Sequence, residues 1–148
     1  MNANDTIFAI ALASNLNPEQ HLVKAFQTIA TWGDVDFSSQ YLIPCRDGIG
    51  ADYWNSACIL KSGMTLEVLL QKLEALEQAS GRIRPSHQIS LDVDLIAWGT
   101  SFSDMQFNPK KMPLALDVKI PMFEIWQDVR FQHLVHNYLK MQCNVSVH

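Results

Sequence analysis

Two aspartates, Asp92 and Asp94, are the residues whose type and spacing first suggest a chemistry. They alternate with Leu91, Val93 and Leu95, so on a β-strand the apolar side chains would face a core while both carboxylates share the other face. Their Cα atoms would then lie roughly 6.5 Å apart, close enough to bind one magnesium ion or to bridge two. The competing interpretation is an ordinary amphipathic strand with a solvated face. Aspartate is a poor strand former, however, and such local conflicts tend to mark functional sites.

Four further residues could act together with this acidic pair. Arg82 and Arg84 follow a helix stop at Gly81, and they could direct guanidinium groups at phosphate oxygens or could be surface charges near a helix end. Tyr53 and Asn55 share one face of another predicted strand, where they could stack on and hydrogen-bond to a polar heterocycle. Asn55 could equally be a turn or edge residue.

Two other site types are not favoured by the sequence. The glycines at 48 and 50 are not followed by the Lys-Ser or Lys-Thr of a phosphate-binding loop, so a lid or turn is the better interpretation. His133 and His136 are spaced for one face of a helix but have no third ligand nearby in sequence. A solvated helix face is therefore favoured over a metal site there.

Composition and charge narrow the class of protein. The 148 residues are 48% hydrophobic and 18% charged, which predicts one globular domain over residues 1–148. The formal net charge of −4 disfavours nucleic acid as a partner but is compatible with a small anionic ligand. No apolar run has membrane-spanning length and the N-terminus has no signal-peptide pattern, so we expect a cytoplasmic protein without a membrane partner. The cysteines at 45, 58 and 143 are expected to be reduced thiols.

The hydrophobic pattern predicts an α+β fold with the element order strand, helix, strand, strand, helix, strand. We expect strands over residues 6–12, 35–41, 53–60 and 90–97, and helices from Asn17-Pro18 to about Trp32 and from Thr65 to Gly81. This order is that of the ferredoxin-like βαββαβ sandwich, with both helices on one face of an antiparallel sheet. The expected C-terminal additions are a short hairpin near 102–107, a helical turn over 121–126, an amphipathic helix over 129–139, and a loose tail beyond Met141.

Four short segments form an ordered set along the chain. They are Ala13-Ser14-Asn15-Leu16, then Tyr53-Trp54-Asn55-Ser56-Ala57, then Glu77 followed by Gly81-Arg82-Ile83-Arg84, and finally Leu91-Asp92-Val93-Asp94-Leu95. In this order and spacing they resemble the 6-hydroxymethyl-7,8-dihydropterin pyrophosphokinase family of folate biosynthesis. The resemblance runs from about Thr6 to Trp126 and includes the segment from Ile120 to Ile125.

This resemblance implies transfer of pyrophosphate from ATP to the hydroxymethyl group of a reduced pterin. It implies that Asp92 and Asp94 hold two magnesium ions and that Arg82 assists the reaction. The implied pterin-binding residues are Pro44, Tyr53 and Asn55, and the implied nucleotide-binding residues are Glu77, Arg82 and Arg84. Such roles suit this chemistry, because phosphoryl-type transfer depends mostly on positioning and charge neutralisation.

The sequence also departs from the family pattern. Ile89 stands where a phosphate-binding arginine is expected, and Asp117 stands where an aromatic residue would stack on the pterin. Residues 112–119 lack the family's histidine, arginine and phenylalanine, and Ala13 replaces a glycine. Each lost charged contact to phosphate would cost on the order of 1.5 to 3 kcal/mol. Three lysines could compensate in part: Lys110, Lys111 and Lys119.

These observations lead to a ranked set of hypotheses. The first is a diverged pterin pyrophosphokinase whose activity is weakened or altered in substrate. The second is a non-catalytic paralogue that binds a ligand or a protein partner on the same scaffold. The third is an unrelated ferredoxin-like binding module.

Overall fold

A computed structural model describes residues 5–142, and within them one seven-stranded sheet carries helices on both faces. The strands are β1 (Thr6–Ser14), β2 (Asp34–Phe37), β3 (Gln40–Ile43), β4 (Tyr53–Ser62), β5 (Asp92–Gly99), β6 (Met105–Phe107) and β7 (Lys140–Met141). The helices are α1 (Pro18–Ile29), α2 (Leu66–Ala79) and α3 (Leu116–Ile125). One-turn 3₁₀ helices span Phe102–Asp104, Pro109–Lys111 and Val129–Phe131.

The sheet has the spatial order β6-β5-β1-β4-β3-β7, and β2 pairs with β4 beside β3. Each described pair of neighbouring strands is antiparallel. When β2 and β3 are taken together, the four strands of the core motif lie in the order β5, β1, β4, β2/β3. The predicted α+β ferredoxin-like arrangement is therefore confirmed, because each helix crosses over one intervening strand.

The first core layer lies between the sheet and helices α1 and α2. Phe8, Ile10 and Leu12 alternate along β1 and pack with Phe26 of α1 and Leu69 of α2. Helix α2 begins as predicted, since the Thr65 side chain accepts a hydrogen bond from the Val68 N–H at 3.2 Å. Helix α1 also begins after Asn17 with proline at the first position, although the Asn17 side chain makes no capping hydrogen bond.

The second core layer lies on the opposite face, beneath α3. Ala9 of β1 packs there with Met122 of α3. Glu124 of α3 accepts hydrogen bonds from the Tyr41 hydroxyl at 2.6 Å and from the Ser39 N–H at 2.9 Å. The helix begins five residues earlier than the turn predicted over 121–126. Its N-terminal turn is consequently brought to the sheet face that carries the two aspartates.

The predicted second strand, over 35–41, is two strands interrupted at Ser38 and Ser39. The Ser38 hydroxyl accepts a hydrogen bond from the Ala57 N–H at 2.8 Å, taking the place of a backbone acceptor in the ladder. The Ser38 N–H still donates to the Ala57 carbonyl at 2.8 Å. Both halves therefore pair with β4, and the break is stabilised by a side chain.

The C-terminal helix predicted over residues 129–139 is wrong. A single 3₁₀ turn at 129–131 is followed by residues 132–139, which form neither helix nor strand, and β7 then pairs with β3. Leu134 and Val135, the expected apolar face of that helix, are exposed, whereas Phe131 is fully buried against Trp126. Pairing with the open edge of β3 outweighs the propensity of a short helix, which is marginal without packing.

Strand β5 contains a bulge that matters for the site. Ala9 pairs with Ala97 and Ile10 with Leu95, so Ile96 is an extra residue on β5. The side chain of Asn108 donates to the Leu95 carbonyl at 2.9 Å, and its backbone N–H donates to the Ile96 carbonyl at 2.8 Å. The segment after β6 is thereby attached to the bulge. The hairpin predicted near 102–107 is present as the β5–β6 pairing.

In the described part of the chain, no helix has both the length and the apolar character that crossing a bilayer requires. The loose tail predicted beyond Met141 and the thiol predicted at Cys143 lie outside the described residues, apart from Gln142.

The buried ring of Phe131 yields a test of the non-helical C-terminal segment. Replacing Phe131 with alanine should lower the free energy of unfolding by about 3 to 5 kcal/mol, because the large side chain leaves a cavity in the second core layer. The matched control is Leu134→Ala, whose side chain is 89% exposed and should change stability by less than about 0.5 kcal/mol. Urea unfolding of both variants measures the difference. Equal losses would contradict the non-helical arrangement and favour a helix that buries Leu134.

Candidate functional site

The sheet face carrying Asp92 and Asp94 forms the floor of a cavity of about 550 Å³. Strand pairing places Asn55 of β4 opposite Ala13 of β1, and Ala13 opposite Asp92 of β5. In the next row, Ala11 lies opposite Asp94. Three strands thus contribute one continuous surface, and the small alanine side chains of β1 leave open space between the amide and the carboxylates.

Three carboxylates converge at the edge of this cavity, and two of them, Asp92 and Asp94, line it. Glu77, Asp92 and Asp94 each offer one oxygen, and these atoms lie within 4.8 Å of one another. Glu77 reaches this group from α2, where its carboxylate accepts a hydrogen bond from the Val93 N–H at 2.9 Å. A cluster of hard oxygen ligands at this separation fits a magnesium ion, which prefers carboxylates and retains other positions for water or phosphate.

Arg82 and Arg84 both approach the same acidic group. The Arg82 Nη1 donates to the Leu91 carbonyl at 2.9 Å and lies 3.6 Å from carboxylate oxygens of Glu77 and Asp92. The Arg84 Nη2 donates to Glu77 at 2.8 Å, with most of its side chain in solvent. The Arg82 Nε is buried and has no hydrogen-bond partner among residues 5–142. These two arginines are therefore placed beside the carboxylates, in agreement with their proximity in sequence.

The environment of the two aspartates opposes their ionisation. Burial raises the pKa of Asp92, and repulsion from Glu77 raises it further while Arg82 opposes the shift. Burial also raises the pKa of Asp94, with Asp92 adding to the effect and Lys111 opposing it. The Lys111 ammonium forms an ion pair with Asp94 at 2.9 Å. Negative charge is thus concentrated here at a cost that a bound cation would offset.

The residues that the sequence suggests for binding a polar heterocycle lie at or beside the same cavity. Asn55 is buried, and its side-chain amide donates to the Tyr53 carbonyl at 3.0 Å and to the Tyr41 carbonyl at 3.5 Å. Its Oδ1 has no described partner and is available as an acceptor in the cavity. Tyr53 is half-buried at the cavity wall, and burial raises the pKa of its hydroxyl. Pro44 is exposed beside the wall, where its neighbour Cys45 lines the cavity.

Ile89, at the position of an expected arginine, is held inside the wall of the cavity. Its backbone N–H donates to the Asn15 Oδ1 at 2.6 Å, and its carbonyl accepts from the Asn15 N–H at 3.0 Å. The Asn15 Nδ2 also donates to the carbonyls of Ala51 and His87, so one side chain joins the loops that flank the cavity. The Ser14-Asn15 motif alone does not predict this role, because the partners of Asn15 lie 36 and 72 residues further along the chain.

Arg46 and Asp117 form an unanticipated bridge at the cavity wall. The guanidinium of Arg46 donates from Nε and Nη2 to the two carboxylate oxygens of Asp117, at 2.7 and 2.6 Å. Asp117 lies in the first turn of α3, and Arg46 lies in the loop after β3. Attraction by Asp117 raises the pKa of Arg46, and Asp92 and Asp94 contribute in the same direction. Sequence separation of 71 residues hides such a pair from local analysis.

One comparison with known families bears on this site. A family model described as 7,8-dihydro-6-hydroxymethylpterin-pyrophosphokinase matches residues 9–134 of the 148. The matched range covers most of the chain and contains each residue named above for the cavity.

Burial of Asp94, together with repulsion from Asp92, should have a measurable effect on stability. A carboxyl whose folded-state pKa is raised destabilises the fold when ionised, and this cost vanishes as pH falls toward the unfolded value of about 3.9. Asp94→Asn should therefore raise the thermal unfolding midpoint of the metal-free protein at pH 7, by about 2 to 4 °C for a change of ~1 kcal/mol.

Differential scanning calorimetry from pH 7 to pH 4 measures this effect. The advantage of Asp94→Asn should shrink as the pH falls, and magnesium should stabilise the wild type more than the variant at pH 7. A variant advantage that stays constant with pH would show that the effect does not come from ionisation of Asp94.

Proposed function

The chain belongs to the 7,8-dihydro-6-hydroxymethylpterin-pyrophosphokinase family, and on this premise we propose that it transfers pyrophosphate from ATP to the hydroxymethyl group of a reduced pterin. In this proposal residues 1–148 act as one domain. The observation that carries it is the convergence of Glu77, Asp92 and Asp94 within 4.8 Å, where the two aspartates line a cavity whose floor also presents Asn55. A cation-binding group and a heterocycle-binding group thus share one space.

The reaction requires an oxygen nucleophile and a leaving nucleotide. The substrate hydroxyl oxygen bonds to the β-phosphorus of ATP, the bond from that phosphorus to the α–β bridging oxygen breaks, AMP leaves, and the hydroxyl proton is released. When bound by Asp92 and Asp94, two magnesium ions would supply neutralisation of the charge on the phosphates. Three oxygen ligands from the protein suit such ions, since magnesium keeps further positions for phosphate.

The protein cations complete the phosphate side of the proposed site. Arg84 is exposed and bound to Glu77 alone among the ion pairs of residues 5–142, so its guanidinium can turn toward phosphate oxygens. Arg82 is held by the Leu91 carbonyl beside Asp92, where it fixes positive charge next to the carboxylates. We assign the nucleotide side to these two arginines together with Glu77, which positions both.

The pterin side is assigned to Asn55, Tyr53 and Pro44. The free Oδ1 of Asn55 can accept a hydrogen bond from an N–H group of the heterocycle, and its amide hydrogens are already satisfied by two carbonyls. Tyr53 contributes an aromatic wall. Pro44, beside the wall, would bound the pocket from the loop. Because β1 alone separates Asn55 on β4 from Asp92 on β5, the substrate hydroxyl can meet the phosphates across Ala13.

The departures from the family pattern support a weakened or altered activity. Ile89 provides no charge, and its backbone is engaged by Asn15. Asp117 provides no stacking ring and instead binds Arg46. Each missing contact removes on the order of 1.5 to 3 kcal/mol of stabilisation if it is not replaced. We therefore propose a slow kinase or one with a modified pterin as substrate.

A second candidate is a non-catalytic family member that binds a ligand or a partner at the same cavity. The Arg46–Asp117 bridge favours this candidate, because a charged pair occupies the position at which an aromatic residue is expected to contact the pterin. A thermal-shift titration distinguishes ligand binding from its absence, since a ligand at 100 times its Kd adds about 2.7 kcal/mol of stability. Stabilisation by a pterin without turnover would identify the binding role.

The kinase proposal is tested by incubating the protein with ATP, magnesium and 6-hydroxymethyl-7,8-dihydropterin and measuring AMP. We expect AMP release above the no-enzyme background, and Asp92→Ala should reduce it by at least about 100-fold because a metal ligand is lost. Asp36→Ala is the matched control, since Asp36 is an exposed aspartate on β2 outside the cavity and should retain the activity. AMP formation at background would overturn the kinase assignment.

The position of Asp117 gives a separate test of the pterin pocket. Asp117→Phe should strengthen pterin binding about 2- to 10-fold, because an aromatic contact adds roughly 0.5 to 1.5 kcal/mol beyond its buried area. Fluorescence titration with the reduced pterin measures the affinity. Asp117→Asn also breaks the bridge to Arg46 without adding a ring, and it should not reproduce the gain. If both variants bind equally well, the effect comes from opening the bridge rather than from stacking.

A further inference from the structure

We propose that Lys111 is a displaceable counter-ion of the acidic group: its ammonium pairs with Asp94 in the absence of ligand, is expelled by a divalent cation, and then binds the nucleotide's phosphates. This inference rests on the proposed function in one respect, namely that a divalent cation and a nucleotide bind beside Asp94. It adds a phosphate-binding residue that the contact with Asp94 conceals in the ligand-free state.

The contact itself shows why the ammonium and a metal ion exclude each other. The Lys111 Nζ lies 2.9 Å from an oxygen of Asp94, one of the three converging carboxylates. A magnesium ion bound to that carboxylate would lie about 2.0 to 2.1 Å from its oxygen. An ammonium group and a divalent cation at one carboxylate repel each other strongly in a partly buried site. Metal binding must therefore displace Lys111.

The backbone holds Lys111 at this place. Lys111 ends the 3₁₀ turn that begins at Pro109, and the Asn108 side chain accepts a hydrogen bond from the Lys110 N–H at 3.1 Å. Asn108 is in turn bound to the carbonyls of Leu95 and Ile96 at the β5 bulge, at 2.9 and 2.8 Å. The turn is thus fixed to the strand that carries Asp94, unlike an ordinary surface ion pair between two mobile side chains.

Lys111 differs from the other cations of the cavity in the protein partners that each would keep after a metal binds. Arg82 also lies near Asp92, but its Nη1 donates to the Leu91 carbonyl and would stay in place. Arg46 is bound by both oxygens of Asp117. Within residues 5–142, Asp94 is the single described ion-pair partner of Lys111. Once displaced, this ammonium is a free point charge on a flexible stem beside the phosphates.

This displacement supplies the cavity with a phosphate-binding cation that Ile89 does not provide. Lys111 belongs to the connection between β6 and α3, which Asn108 attaches to the bulge of β5. The Lys111 ammonium should therefore lower the affinity for a metal ion alone and raise the affinity for a metal ion that carries a nucleotide.

The test compares Lys111→Met with Lys110→Met, which removes the same charge from the adjacent residue of the same cavity wall. Lys110 has no ion pair in the described part of the chain. Manganese binding without nucleotide, measured by paramagnetic resonance, should tighten about 10-fold in Lys111→Met, the effect of one lost charge-assisted hydrogen bond. Lys110→Met, which changes only the general electrostatic field, should tighten it less than about 3-fold.

The second measurement uses calorimetry with a magnesium-bound, non-hydrolysable ATP analogue. Binding of this complex should weaken about 10-fold in Lys111→Met, opposite in direction to the effect on manganese alone. Equal shifts in the two lysine variants, or tighter binding of both metal and nucleotide by Lys111→Met, would overturn the inference. The variant Asp94→Asn distinguishes failure of the proposed metal site from failure of the proposed role of Lys111. Unchanged manganese binding in Asp94→Asn would refute the metal site. Lost binding in Asp94→Asn, with no effect of Lys111→Met, would refute the role of Lys111 alone.

Discussion

The pairing of the central strand β1 with both β4 and β5 is the constraint on which the site depends. It fixes Ala13 between Asn55 and Asp92, and Ala11 beside Asp94, so groups from distant parts of the sequence share one surface. Alanine is important at these positions because a larger side chain in the middle strand would fill the space between amide and carboxylate. The larger residues of β1, namely Phe8, Ile10 and Leu12, face the core beneath α1 and α2 on the other side of the sheet. The alternation of large residues and alanines along β1 therefore accounts for both the packed core and the open cavity.

Protein cations lie close to each carboxylate of the acidic group and offset part of its negative charge. Lys111 pairs with Asp94, Arg84 pairs with Glu77, and Arg82 lies between Glu77 and Asp92. Burial nevertheless raises the pKa of both aspartates, in the direction expected when nearby cations offset only part of the cost of burying the charge. Under the proposal for Lys111, a metal would replace this ammonium at Asp94 and release it to the nucleotide, so that metal and nucleotide binding would support each other.

Local patterns predicted the parts of this structure that local forces determine. The leucine stripe of α2 and the alternation of Asp92 and Asp94 with apolar residues gave the right element and the right face. Local patterns failed where a distant partner decided the outcome. Ser38 divides a strand by bonding to β4, and residues after Phe131 follow the edge of β3 instead of forming a helix. The Arg46–Asp117 bridge joins the loop after β3 to the first turn of α3, and the two residues are 71 positions apart in the sequence.

The short strand β7 has a consequence for the behaviour of the molecule in concentrated solution. An open sheet edge offers unpaired N–H and C=O groups to another chain and is a common starting point for aggregation. Here β7 covers part of β3 with two residues, β6 closes the other end of the sheet with three, and β2 presents exposed Asp34. Short strands and charge are both unfavourable templates for intermolecular pairing. By pairing with β3, the C-terminal strand β7 reduces the length of sheet edge to which another molecule could add a strand.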